Sequence, residues 1–189
     1  MSSARERAVF LDRDGTINEE VEYLHRLEDF RLIPGAVAAI AQLKRAGFRV
    51  IVVTNQSGVA RGYFDLAAVE RIHRQLDAEL AAQGTAVDAY FVCPHHPIHG
   101  KGEFLMECAC RKPLPGMLLQ AAEQFGLDLQ QSWMVGDKVA DLQAGERAGC
   151  RSLLVATGYG RRESEQLKDR SVLVSDLQQA AQRIMEQDR

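Results

Sequence analysis

The chain has 189 residues, 46% of them apolar, enough to bury one sizeable core and little more, so one domain spanning 1–189 and working as a monomer is the expectation. Its 23 Lys and Arg face 26 Asp and Glu, with neither sign gathered into a block. That excludes the electrostatic footprint of a nucleic-acid or membrane-surface binder and leaves a small molecule as the expected partner. No apolar run approaches transmembrane length, and the polar start, Met1 to Arg7, has no apolar signal core behind it, so a cytoplasmic location is expected.

In chain order, the run Ala8-Val9-Phe10-Leu11 reads as a first buried strand. Val37, Ile40 and Leu43 then mark one face of a helix ended by Gly47, and Val50-Ile51-Val52-Val53 a second strand. Leu66, Val69, Ile72, Leu76 and Leu80 give a longer helix ended near Gly84, followed by a strand at Tyr90-Phe91-Val92. Pro115 opens a helix with Leu118, Leu119, Ala122 and Phe125 on its apolar face, closed by Gly126. Strands at 133–135 and 152–155 flank a helix at about 139–148, and a last helix starts near Asp176. All five strands read as buried on both faces. Strand and helix alternate, which predicts a doubly wound, Rossmann-like α/β domain around a mostly parallel sheet. The stretches 18–34 and 94–113 are the long loops, and Gly158-Tyr159-Gly160 reads as a turn without a phosphate-binding role.

Ligands of such sheets sit beyond the carboxyl ends of the strands, so the residues just after each apolar run matter most. There the chain places Asp12-Arg13-Asp14, Thr54-Asn55-Gln56, Cys93-Pro94-His95 and Gly136-Asp137-Lys138. Asp12 can attack phosphorus, while Asp14 can protonate a leaving oxygen and then deprotonate water. An anionic nucleophile facing an anionic phosphate needs a cation between them, which calls for Mg²⁺ with Asp137 as a further ligand. Asp141, one turn later, is expected to orient that shell rather than enter it. The Thr54 hydroxyl and the Lys112 ammonium would serve the phosphoryl oxygens. Singly, each of these residues could be a helix cap, a strand-end hydroxyl or a surface charge. Their order after successive strands carries the joint reading.

Asp12-Arg13-Asp14-Gly15-Thr16, Thr54, Lys112-Pro113 and Gly136-Asp137-x-x-x-Asp141 together resemble the four motifs of haloacid-dehalogenase-like (HAD) phosphatases. The resemblance covers residues 8–141. It implies an aspartyl-phosphate on Asp12 and Mg²⁺ held by the Asp12 carboxylate, the Asp14 backbone carbonyl and Asp137. Only thirty-nine residues separate Asp14 from Thr54 and fifty-seven separate Thr54 from Lys112, so the domain should be essentially capless, with substrate recognised by loops.

Three of the four cysteines, Cys93, Cys108 and Cys110, fall within eighteen positions, a grouping that suits metal better than a disulfide. With one histidine from His95, His96 or His99 they offer a tetrahedral set for structural zinc, fixing Arg111 and Lys112 in place. Cys150 stands apart as a packed core thiol. Cys93-Pro94-His95-His96-Pro97, Cys108-Ala109-Cys110-Arg111-Lys112-Pro113 and Thr54 to Gly62 make the chain similar to the heptose bisphosphate phosphatase family. That similarity implies zinc on Cys93, His95, Cys108 and Cys110. It further implies removal of the 7-phosphate from D-glycero-D-manno-heptose 1,7-bisphosphate on the way to the activated heptose of the lipopolysaccharide inner core. Arg111 and Lys138 would help recognise the substrate, with Asn55, Glu20 and Tyr23 beside them. The stretch Glu20-Val21-Glu22-Tyr23 departs from the family's Asp-His-Gly-Tyr, which leaves the anomer open. Histidinol-phosphate phosphatases share the aspartate motif and a similar zinc loop and are the alternative. A silent binding module of the same fold is disfavoured because every proton-transfer and metal position is present.

Overall fold

A computed structural model describes residues 6–188. Six strands, β1 (Ala8–Leu11), β2 (Arg49–Asn55), β3 (Ala89–Cys93), β4 (Trp133–Gly136), β5 (Arg151–Val155) and β6 (Leu173–Val174), form one sheet in the order β3-β2-β1-β4-β5-β6, and all pairings are parallel. The five expected strands are all present. The sixth is a two-residue edge, too short to leave a pattern in sequence. β3 is the other edge, and there the expectation of full burial fails: Phe91 and Cys93 are buried, while Ala89, Tyr90 and Val92 are only half-buried. A strand paired on one side keeps one flank open.

Helices α1 (Ala36–Arg45), α2 (Ser57–Arg61), α3 (Leu66–Ala81), α4 (Gly116–Phe125), α5 (Val139–Ala148), α6 (Gly160–Glu163) and α7 (Leu177–Gln187) cover both faces. Alternate residues of a strand point to opposite faces, and the core divides accordingly. Val9 and Leu11 pack with Val50 and Val52 against Ile40 and Leu43 of α1, Ile72 and Leu76 of α3, and Ile184 of α7. Ala8 and Phe10 pack with Ile51 and Val53 against Met117, Leu118 and Ala121 of α4 and Ala144 of α5. Each large apolar side chain fully buried here contributes about 1.5–3 kcal/mol relative to exposure. Cys150 lies in this second cluster, and burial pushes its thiol up to about 12, as fits a packed, inert thiol.

Local chemistry sets the helix ends. The Asp65 carboxylate accepts from the Ala68 N–H at 2.8 Å and starts α3, and the Asp176 carboxylate does the same for α7 from the Gln179 N–H. Gly126 and Gly149, both left-handed, end α4 and α5. One expected core position is corrected: Leu119 is 47% exposed, because α4 turns Met117, Leu118 and Ala121 to the sheet, with Ala122 and Phe125 at the margin. α2 and α6, four or five residues each, were not expected.

The two long loops are organised at the strand ends. The 18–34 excursion is closed at its base, where Glu19 N–H donates to the Arg31 carbonyl at 2.8 Å and Ile33 N–H to the Ile17 carbonyl at 3.0 Å. The 94–113 loop contains a single 3₁₀ turn, Gly102–Phe104, and His96 N–H donates to the Phe104 carbonyl at 3.1 Å. Among the described residues no helix is long and apolar enough to cross a membrane.

Candidate active site and zinc loop

The strand order reverses between β1 and β4, and the carboxyl ends on either side of that switch carry Asp12 and Asp137. Lys112 reaches the same point from the end of the second long loop. Its buried ammonium lies 2.9 Å from Asp12 Oδ1 and 2.7 Å from Asp141 Oδ1, and donates to the Val53 carbonyl at 2.7 Å. Burial works against this charge, but the two carboxylates outweigh it and hold the lysine pKa above its ordinary value. Burial raises the pKa of Asp12, against the pull of Lys112. One ammonium cannot offset this many carboxylates.

Asp14 has the opposite balance. Burial alone would raise its pKa, yet it is held below the usual carboxylate range by the Arg13 guanidinium and by hydrogen bonds from Asn18 and Gln56. Arg13 is fully buried and donates from Nε and Nη2, Asn18 Nδ2 donates at 2.9 Å, and Gln56 Nε2 donates at 2.9 Å. Gln56 also donates to the buried Thr54 hydroxyl at 2.9 Å, so Thr54 and Asp14 share one amide. Arg13, Asn18 and Gln56 were not singled out from sequence. Their proximity to Asp12 and Thr54 in the chain was the available signal.

Asp137 is fully buried, and its pKa is pushed up to about 8, first by burial and then by the facing charge of Asp12, with Lys138 and the Tyr159 N–H pulling the other way. The Tyr159 N–H occupies Oδ2 at 2.8 Å, while Oδ1 is buried with no hydrogen-bond partner. Asp12, Asp137 and Asp141 offer carboxylate oxygens within 4.8 Å of one another. Asp141 is already engaged on both, Oδ1 by Lys112 and Oδ2 by the Lys138 N–H at 3.0 Å. Asp12 and Asp137 are therefore the pair able to meet a cation. An excess of buried negative charge, hard oxygen donors and an orphaned Asp137 oxygen fit a divalent ion such as Mg²⁺.

A cavity of about 440 Å³ opens over these groups, a size suited to a small molecule. Asp12, Asp14, Thr54 and Lys112 line it, as do Glu20, Tyr23, Asn55, Arg111 and Lys138. Lys138 pairs with Glu20 at 3.3 Å and lies 3.9 Å from Asp137. Asn55 spends its amide on the backbone of Lys112, donating to its carbonyl at 3.0 Å and accepting from its N–H at 3.1 Å. It thereby fixes the lysine as well as facing the cavity. Tyr159, Arg162 and Glu163 also line the cavity, so the expected turn at 158–160 borders the site.

The cysteine loop closes on itself. Cys93 Sγ lies 3.6 Å from Cys108 Sγ and 3.9 Å from His95 Nδ1, which lies 3.4 Å from Cys110 Sγ, and the sulfurs of Cys108 and Cys110 are 3.3 Å apart. Zn–S bonds of about 2.3 Å in a tetrahedron separate sulfurs by about 3.8 Å, so these four atoms fit one zinc ion. His96 turns Nδ1 to the Ile98 and His99 N–H groups instead, and neither His96 nor His99 joins the cluster. Arg111 Nη1 donates to the His95 carbonyl at 3.2 Å, which ties the cavity's arginine to the cysteine loop.

A parallel sheet of this order, with two aspartates after its first strand, a threonine at the end of the second and a third aspartate after the fourth, defines a HAD-like hydrolase. Residues 109–180 match the family model described as HAD-hydrolase-like. The chain is 42% identical over 180 residues to the D-glycero-β-D-manno-heptose-1,7-bisphosphate 7-phosphatase of Pseudomonas aeruginosa, covering 94% of this chain and 97% of the relative. It is 46% identical over 153 residues to that of Pasteurella multocida, covering 80% of this chain and 83% of the relative. Among solved structures, a D,D-heptose 1,7-bisphosphate phosphatase from B. bronchiseptica, complexed with magnesium and phosphate, superposes with a TM-score of 0.85 at 39% identity, over 96% of this chain and 99% of that one. The chain belongs to the heptose-1,7-bisphosphate 7-phosphatase family of HAD-like hydrolases.

Proposed function

We propose that this single domain is a Mg²⁺-dependent phosphomonoesterase that removes the 7-phosphate of D-glycero-β-D-manno-heptose 1,7-bisphosphate, with Asp12 as nucleophile. The observation that carries the chemistry is the meeting of Asp12, Lys112 and the orphaned Asp137 oxygen beneath a cavity of sugar-phosphate size. The relatives' names support the heptose and its β anomer and favour neither histidinol phosphate nor a silent module. A place in the supply of activated heptose for the lipopolysaccharide inner core is what the family resemblance implies.

Asp12 attacks phosphorus and the ester P–O bond breaks, with the proton for the leaving alkoxide coming from Asp14. Asp14 then takes a proton from water as that water attacks the aspartyl-phosphate, which releases phosphate, frees the Asp12 carboxylate and returns Asp14 to the protonated form it takes up from solvent on substrate binding. Arg13, Asn18 and Gln56 hold Asp14 in its charged form in the free protein. The arriving phosphate dianion raises the proton affinity of Asp14 and prepares it as the acid. Lys112 and Thr54 stabilise the equatorial phosphoryl oxygens. Asp12, Asp137 and the Asp14 carbonyl would hold Mg²⁺, which would screen the nucleophile from the phosphate and supply Lewis acidity. Arg111 and Lys138 recognise the remainder of the bisphosphate with Asn55, Glu20 and Tyr23 beside them.

Zinc on Cys93, His95, Cys108 and Cys110 is structural, since four protein ligands complete its shell. Thiolate ligands support a reducing compartment, the cytoplasm. The groups named here all come from one chain, which supports a working monomer. Phosphate release with Mg²⁺ from both anomers of heptose 1,7-bisphosphate and from histidinol phosphate, run in parallel, tests the reading. Preferred turnover of the β-bisphosphate is expected, and a preference for histidinol phosphate would overturn the substrate assignment.

A further inference from the structure

The turn Thr157-Gly158-Tyr159-Gly160, between β5 and α6, has no part in the chemistry above, yet it grips the metal carboxylate from behind. The Thr157 hydroxyl donates to the Gly15 carbonyl at 2.6 Å, fastening the turn to the loop that follows Asp14. The Tyr159 N–H donates to Asp137 Oδ2 at 2.8 Å, and the other oxygen of that buried carboxylate has no hydrogen-bond partner. Gly15 and Gly158 both adopt left-handed φ, +80° and +55°, and a Cβ on either would collide with Asp137 Oδ2. The ring of Tyr159 stands on the cavity wall with Lys138 at 4.7 Å and Arg162 at 5.1 Å from its centroid.

We propose that residues 157–160 are the positioning element of the divalent-cation site. The Tyr159 backbone N–H takes one Asp137 oxygen so that the other is presented to the metal, and the Gly15/Gly158 pair leaves the space in which that carboxylate can sit. A carboxylate free to rotate would lose orientational entropy on binding the ion. One whose second oxygen is already hydrogen-bonded has lost most of it in folding. Partners of this kind are worth roughly 10–100-fold in metal affinity. The inference rests on the reading of Asp12 and Asp137 as the Mg²⁺ ligands.

The test is Mg²⁺ titration by calorimetry on substrate-free protein, with melting temperature measured in chelator. Tyr159→Pro removes the N–H, and the residue's φ of −82° is near the value proline imposes. Tyr159→Ala removes the ring and keeps the N–H. The expected result is Mg²⁺ affinity weakened roughly 10–100-fold by Tyr159→Pro and changed less than about threefold by Tyr159→Ala. Gly158→Ala should weaken Mg²⁺ to a similar degree. Gly47→Ala, at φ +86° with no atom within 4 Å of its Cβ, carries the backbone strain alone and should leave Mg²⁺ affinity unchanged while lowering the melting temperature. Wild-type affinity in Tyr159→Pro, or in Gly158→Ala should the proline variant not fold, overturns the proposal. So does an equal loss in Tyr159→Ala, which would put the effect in the ring. Failure of the underlying reading looks different: Asp137→Asn would then bind Mg²⁺ as tightly as wild type.

Discussion

Replacing Lys112 with methionine removes an ammonium that touches two buried carboxylates while keeping a side chain of similar length. The lysine lies 2.9 Å from Asp12 and 2.7 Å from Asp141 with its own side chain 2% exposed, so little solvent screens the loss. Breaking a buried pair by removing one partner costs about 3–5 kcal/mol. The Val53 carbonyl also loses its donor, a further ~1 kcal/mol. Protonation of Asp12 offsets part of this, which leaves about 4 kcal/mol near neutral pH, or roughly 10 °C in melting temperature for a chain of this size. The pH dependence carries the sign. Asp12 already has a folded pKa raised by burial. A carboxylate in that position costs stability increasingly as pH rises from its unfolded value of about 3.9 through the folded one. Without Lys112 that window widens, so the penalty should be smallest near the unfolded value of about 3.9 and grow as pH rises. Urea unfolding in metal-free buffer across that range, on wild type, Lys112→Met and Lys112→Met/Asp141→Asn, measures it. The double variant should recover a part of the loss at high pH, since it removes one of the stranded charges. A single variant as stable as wild type near pH 8, or a penalty independent of pH, would refute the reasoning.

Asp12→Asn should abolish turnover, because an amide is a far weaker nucleophile. Undiminished phosphate release by that variant would sink the mechanism. Cys110→Ser or zinc chelation should loosen the 93–112 loop, lower the melting temperature and raise KM through Arg111, whereas removal of Mg²⁺ should stop turnover with the fold intact. Circular dichroism and metal analysis alongside kinetics separate the two, and unchanged KM and stability after confirmed zinc loss would remove the structural role. His73 is 7% exposed and stacks on Tyr90 at 4.1 Å, and burial, helped by Arg13, lowers its pKa to about 3. A base whose folded pKa is depressed keeps its full stability above the unfolded value of about 6.5 and loses it as pH falls. At about pH 5 the loss is ~2 kcal/mol. His73→Gln should flatten that slope in denaturation curves between about pH 7 and 5, and an unchanged slope would assign the acid sensitivity elsewhere.

Much of this protein was legible in its residues alone. Central strands such as Ala8–Leu11 and the body of Arg49–Asn55 are buried on both faces, so they appear in sequence as unbroken apolar runs. Because a parallel sheet puts its ligands after those runs, Asp12, Asp14, Thr54 and Asp137 could be picked out by position. The side chains of Cys93, Cys108 and Cys110 announce a metal by chemistry, and their grouping survives folding. Phase and distance were harder to read. Leu119 satisfies a helical spacing yet faces solvent, since the direction in which α4 meets the sheet depends on the packing of Met117 and Leu118. Spacing alone left the histidine partner of the cysteines open among His95, His96 and His99, and only the resemblance pointed to His95; in the structure His96 turns its Nδ1 to two backbone N–H groups instead. The grip on Asp137 was out of reach from sequence, because it is made by a backbone N–H twenty-two positions away, at Tyr159, and every residue but proline carries that group. Side-chain chemistry was written in the sequence, and the backbone's part in aiming it was decided only when β5 was laid beside β4.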